Sequence, residues 1–133
     1  MKRLIILAIG AALWVALGAC GSSTVKVGNH EVPKSAAGLV APSTGDGLRD
    51  ELNYYADEPY TDAEYAKLKE NIEAICNGTN ADADAVMRET FENMRDDYGS
   101  YAAIYEIGVK YECKAKLPAL EKIDTKWFNK LAG

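Results

Sequence analysis

The side chains in this chain able to do chemistry are few: three cysteines, one histidine and a surplus of carboxylates. The histidine, His30, lies in a Gly- and Ser-rich stretch, so no histidine is expected inside a folded domain and a histidine-based triad has no place to form there. No Gly-rich phosphate loop follows a strand and no His-Glu-x-x-His occurs, so a catalytic role has no motif behind it. Asn80-x-Asp82-x-Asp84 has the opening spacing of a calcium loop. Loop positions six and twelve would then be Ala85 and Phe91 instead of Gly and Glu, so these residues read as caps at a helix start. No metal, cofactor or catalytic residue is expected.

Cys20 is a different case. It follows Lys2 and Arg3, an uncharged run from Leu4 to Ala19, and the junction Leu17-Gly18-Ala19, with Gly21-Ser22-Ser23 behind it. The run, sixteen residues at 1.5 Å each, would cover roughly 24 Å, short of a bilayer core of about 30 Å, so a cleaved signal peptide over residues 1–19 is the expectation. The junction resembles the lipobox of bacterial lipoproteins. That resemblance implies a lipid thioether on Cys20, which becomes the first residue of the mature chain. It also places the protein in the cell envelope, anchored to a membrane and facing away from the cytoplasm. Ordinary cleavage after Ala16-x-x-Ala19, leaving a free thiol, is the alternative.

Removing Lys2 and Arg3 leaves 13 basic residues against 20 acidic ones, moving the net charge from −5 to −7. Such a domain repels nucleic-acid backbones and anionic headgroups, so attachment has to come from the lipid. The other two cysteines, Cys76 and Cys113, have only each other for a disulfide in an oxidising compartment; a metal site would lack further ligands. Their bond is expected to stabilise a small domain by roughly 3 to 4 kcal/mol.

Residues 20–47 read as the lipidated N-terminus and a flexible tether. Thr24 to Val32 alternates about Gly28-Asn29, but an isolated hairpin is marginal in water. Residues 48–133 read as the folded domain. Its first helix spans 48–57, carrying Leu48, Leu52 and Tyr55. The second starts in a capping box, Thr61 to Glu64, carries Tyr65, Leu68, Ile72, Ile75 and Cys76 on one face, and stops at Gly78 in a left-handed conformation. The third covers 82–98, capped by Asp82 or Asn80, with Met87, Phe91, Met94 and Tyr98 on one side and Gly99 ending it. The fourth, 101–116, has the widest apolar arc and should be the most buried. The last starts at Pro118 and repeats Leu120, Ile123, Trp127 and Leu131. The fold class expected is all-α, a bundle of four to five short helices stapled by one disulfide.

The pieces Ile75-Cys76-Asn77-Gly78, Ala85-Val86-Met87 and Ala102 through Tyr111-Glu112-Cys113 resemble a family of small exported actinobacterial proteins known as domain of unknown function 732. The match covers roughly residues 60–115. It departs after Cys113, where the family often has Pro and this chain has Lys114-Ala115-Lys116-Leu117 before Pro118. The resemblance implies a helical fold with its disulfide and brings no activity.

What remains is surface. Eight tyrosines are many for one small bundle, and Tyr54, Tyr55 and Tyr60, just after the tether, are candidates for a partner interface. Glu92, Asp96 and Asp97 form an acidic patch near a helix end, offset by Arg88 and Arg95, and are candidates for docking a basic partner. Lys122, Lys126 and Lys130 line a stripe that would suit anionic lipid, beside Trp127 and Phe128, of which only one can face the core. The function expected is a non-catalytic envelope lipoprotein acting as a protein-interaction module, in an accessory, inhibitory or immunity and exclusion role. The alternative is a small carrier for an apolar ligand or lipid, lined by Met87, Phe91 and Met94.

Overall fold

A computed structural model describes residues 24–27, 29–33 and 43–133. The expected signal peptide and Cys20 lie outside the described residues. Those described group into two compact units, one ending at Thr61 and one running from Asp62 to Gly133.

The first unit combines a hairpin with a helix. Strands β1 (Thr24–Val27) and β2 (His30–Pro33) pair antiparallel, Val25 opposite Val32 and Val27 opposite His30. Part of the expected tether is therefore ordered as sheet. The physical reason is that the hairpin does not stand alone: it packs against helix α1 (Gly47–Tyr55) and buries Val32 together with Leu48 and Leu52. Helix α1 is capped by Asp46, which accepts from the Arg49 amide at 3.2 Å. Gly45, just before it, takes φ +83°, a conformation that glycine adopts without steric cost.

The second unit is a disulfide-stapled helical bundle, and the chain's described residues make an all-α fold carrying one small hairpin. Its helices are α2 (Asp62–Asn77), α3 (Asn80–Asn93), α4 (Tyr98–Glu112) and α5 (Leu117–Ala132). Helix α2 buries Tyr65, Leu68, Ile72 and Ile75, the face that its spacing predicts. Helix α4 buries the most, with Tyr98, Ala102, Ile104, Tyr105, Gly108 and Val109 inside. Gly108 sits so close to α2 that a Cβ there would lie 2.2 Å from Ile72 Cδ1. Beyond that contact the Cys76–Cys113 disulfide ties the end of α2 to the C-cap of α4, with Cα atoms 5.7 Å apart.

Three boundaries differ from expectation. Helix α3 stops at Asn93; Met94 leaves helical geometry at φ −138°, ψ 47°, and a 3-10 turn Arg95–Asp97 leads into α4. The apolar spacing of Met87, Phe91, Met94 and Tyr98 spans two helices, which is why it imitates one. Gly99 consequently lies inside α4. Thr79, instead of Asn80 or Asp82, is the cap of α3, in a box where Asp82 bonds back to the Thr79 amide at 2.7 Å. Finally, Gly78 is not left-handed: Gly45 holds the positive φ among the described glycines. Gly78 is required for space, since a Cβ would meet Ala74 O at 2.5 Å and Asp82 Oδ2 at 2.6 Å.

Substituting Gly108→Ala should force α2 and α4 apart and destabilise the unit by about 1 to 3 kcal/mol. Urea unfolding of the oxidised protein checks this; an unchanged midpoint would show that the bundle does not depend on that approach.

Candidate functional site

The described structure joins two of the three candidate tyrosines to the single histidine. Tyr54 and Tyr55 follow Glu51 by one helical turn on α1, so the carboxylate and the two rings project toward β2. The His30 ring stacks on Tyr54, centroids 3.9 Å apart and planes 6° off parallel, and meets Tyr55 edge-on at 5.4 Å. Its Nε2 lies 2.8 Å from Glu51 Oε1, and the Asn29 amide donates to Glu51 Oε2 at 3.0 Å. An ionised carboxylate only accepts, so Nε2 carries the proton in this contact. Burial, and secondarily the Glu51 charge, raises both tyrosine pKa values above the ordinary phenol. Because His30 is a poor signal in isolation, only the docking of β2 on α1 reveals that the lone histidine is part of a packed cluster.

Tyr60 is held differently. Its amide donates to Asn53 Oδ1 at 2.9 Å and its carbonyl accepts from Arg49 Nη2 at 2.8 Å. Most of the eight tyrosines reach an interior, but not all of them. Tyr54, Tyr60, Tyr65, Tyr98 and Tyr105 are buried, and Tyr55, Tyr101 and Tyr111 are half-buried. In the bundle the Tyr105 hydroxyl accepts from Asn71 Nδ2 at 2.8 Å, whereas the Tyr98 hydroxyl is buried without a hydrogen-bond partner. Tyr54 and Tyr60 thus build the first unit's interior and present little surface to a partner.

The acidic patch is exposed as expected. Glu92 lies in the last turn of α3, Asp96 and Asp97 sit in the 3-10 turn, and none of them makes an ion pair among the described residues. Neither expected arginine pairs with them: Arg95 lies over the Phe91 ring, 4.8 Å from its centroid, and Arg88 lies beside Asp84. Phe91 packs in turn on Trp127 at 5.2 Å, and the next residue, Phe128, is 54% exposed, the largest exposed apolar side chain described. Trp127 is the member of the pair that reaches the core.

The lysine stripe on α5 is partly engaged. Lys126 and Lys130 lie over Trp127, at 4.9 and 4.2 Å, and Lys126 also bonds Asp84 Oδ1 at 2.5 Å. Asp84 takes a second bond from Trp127 Nε1 at 2.9 Å, so this residue of the calcium-like spacing links α3 to α5. The Lys126 bond, against some desolvation, holds its carboxyl below the usual range; Asp82 is lowered by its bonds to Thr79. No three His, Cys, Asp or Glu side chains converge on a metal-sized space among the described residues. An open groove of about 640 Å³ runs between α3 and α5, floored by Ala81, Ala115, Pro118 and Ala119. It is not lined by Met87, Phe91 or Met94, and Met87 is fully buried as core filling.

No protein-family model, no curated protein and no solved structure matches this chain.

His30→Ala removes both the ring stack and the bond to a buried carboxylate. Amide exchange over β1, β2 and α1 should rise about tenfold, the equivalent of roughly 1.5 kcal/mol, while α2 to α5 keep their protection. Exchange followed by mass spectrometry checks it; unchanged protection of the hairpin would mean the cluster contributes nothing to its docking.

Proposed function

We propose that this chain is a non-catalytic cell-envelope lipoprotein, exported by residues 1–19, acylated on Cys20, and acting as a protein-interaction module. Its role is accessory, inhibitory, or that of an immunity or exclusion factor. The observation that carries the reading is the exposed acidic face of Glu92, Asp96 and Asp97, whose carboxylates have no ion-pair partner among the described residues. Three unpaired carboxylates on a rigid, disulfide-tied bundle favour a basic protein surface through long-range attraction and orientation. The exposed Phe128 ring, on the same unit, offers an apolar anchor of the kind that interfaces use. The reading of Cys20 rests on the Leu17-Gly18-Ala19-Cys20 junction. No described helix is long and apolar enough to cross a membrane, so attachment in this proposal is assigned to the lipid.

Two measurements test the proposal separately. Growth of a producing strain with labelled palmitate should mark the wild-type chain and leave Cys20→Ser unlabelled; a wild-type chain without label removes the anchor. For the interaction, a photocrosslinker at position 92 or 96 should capture a partner in whole cells. Combined Glu92→Lys, Asp96→Lys and Asp97→Lys should weaken that complex at least about tenfold and abolish its sensitivity to salt. Capture that is indifferent to the charge reversal would sink the acidic face as the contact surface.

A further inference from the structure

Helices α4 and α5 pack together, and each carries a half-buried acid beside its buried residues. On α4 the row Tyr98, Ala102, Glu106 runs at four-residue spacing, its first two members buried. On α5 Asp124 falls between the buried Leu120 and Trp127. The Glu106 and Asp124 side chains meet within hydrogen-bonding reach, although two carboxylates can bond only when one of them carries a proton. Beneath them Tyr98, with no exposed surface, aims its hydroxyl at Asp124 without a well-formed hydrogen bond, and Asp124 Oδ1 is buried without a donor. The other charged groups around this point are of both signs. Asp84 on α3 is occupied by Lys126 and Trp127, with Arg88 beside it, and Glu121 on α5 adds negative charge. Lys110, one turn after Glu106 on α4, makes no ion pair with it among the described residues.

We propose that Glu106 and Asp124 share one proton across the α4–α5 interface, and that loss of this proton loosens α5, making the C-terminal helix the pH-responsive element of the bundle. A charged pair in this place would leave two repelling carboxylates over an unsatisfied phenol, with no cation ion-paired to either among the described residues. Desolvation, reinforced by Asp124 and Glu121, pushes Glu106 up to about 7. Because its folded value lies above the unfolded one, the folded state binds the extra proton. The associated stability is therefore fully present at acid pH and is lost as pH rises through about 7. The disulfide joins α2 to the end of α4 and leaves α5 without a covalent tie, held by packing, the Asp84 bonds and the bond from Lys116 Nζ to Gly78 O at its start, so α5 is the element able to respond.

The test follows the full-length oxidised protein by thermal unfolding and by amide exchange, corrected for intrinsic rate, at pH 5 and pH 8.5. Wild-type Tm should fall by about 5 °C toward alkaline pH, and residues 117–132 should lose about tenfold protection while residues 62–77 do not. Glu106→Gln supplies a donor that does not titrate, so it should flatten the profile and exceed wild type at pH 8.5; Asp124→Asn should flatten it as well. A level wild-type profile, or the same slope in Glu106→Gln, overturns the proposal. So does full recovery of wild-type protection at pH 8.5 by millimolar calcium, which would make the pair a cation site.

Discussion

The bundle depends on how closely α2 and α4 approach each other. Ile72 occupies the space where a side chain at position 108 would be, so the two helices are separated by little more than one aliphatic side chain. That separation brings Cys76 and Cys113 to bonding distance, and α4 is the helix of the bundle with the most buried residues. The disulfide and the glycine act on different states. The covalent link restricts the unfolded chain over a separation of 37 residues, whereas Gly108 permits the native contact itself. The other two helices then add to an existing pair, α3 through Met87 and Ala83 and α5 through Leu120 and Trp127.

Before Asp62 the constraint is polar. Helix α1 is only nine residues long and would be marginal alone. It carries three buried polar residues, and each holds a different neighbouring segment. Asp50 accepts from Ser43 Oγ, from the Thr44 amide and from its hydroxyl; Glu51 holds Asn29 and His30; Asn53 holds the Tyr60 amide. A buried carboxylate without such donors would be strongly unfavourable, so the flanking chain and the helix order each other. This mutual requirement explains how a hairpin that is weak in isolation becomes part of a packed unit.

Basic and acidic side chains of the bundle are placed differently. Arg95 and Lys130 rest on aromatic rings and Lys126 serves Asp84, so these basic residues are engaged in contacts within the bundle. The carboxylates of Glu92, Asp96 and Asp97 are left to the solvent, while Glu106 and Asp124 are drawn inward. In the function we propose, the outer set serves long-range recognition of a basic surface, and in the proposed pH response the inner set couples the α4–α5 contact to protons. One composition thus provides both a charged face and a titrating interface.

Much of the bundle was legible in the amino-acid order. The repeats in α2 and α5, Pro118 near the start of α5 and the only available cysteine pairing are local or arithmetical features, and the helices and disulfide follow them. The acidic patch was equally legible, because short-range sequence puts those residues at a helix end. The break at Met94 was not, since an apolar period continues across it and only the geometry of α4 against its neighbours demands the turn. Nor was the fate of His30, Tyr54 and Tyr60: their burial comes from chain segments far apart in sequence that share the polar side chains of α1. The meeting of Glu106 and Asp124 is of the same kind. Sequence periodicity assigns each residue a side of its own helix, but which two sides face one another is decided by packing, and only packing supplies the desolvation that raises the Glu106 carboxyl.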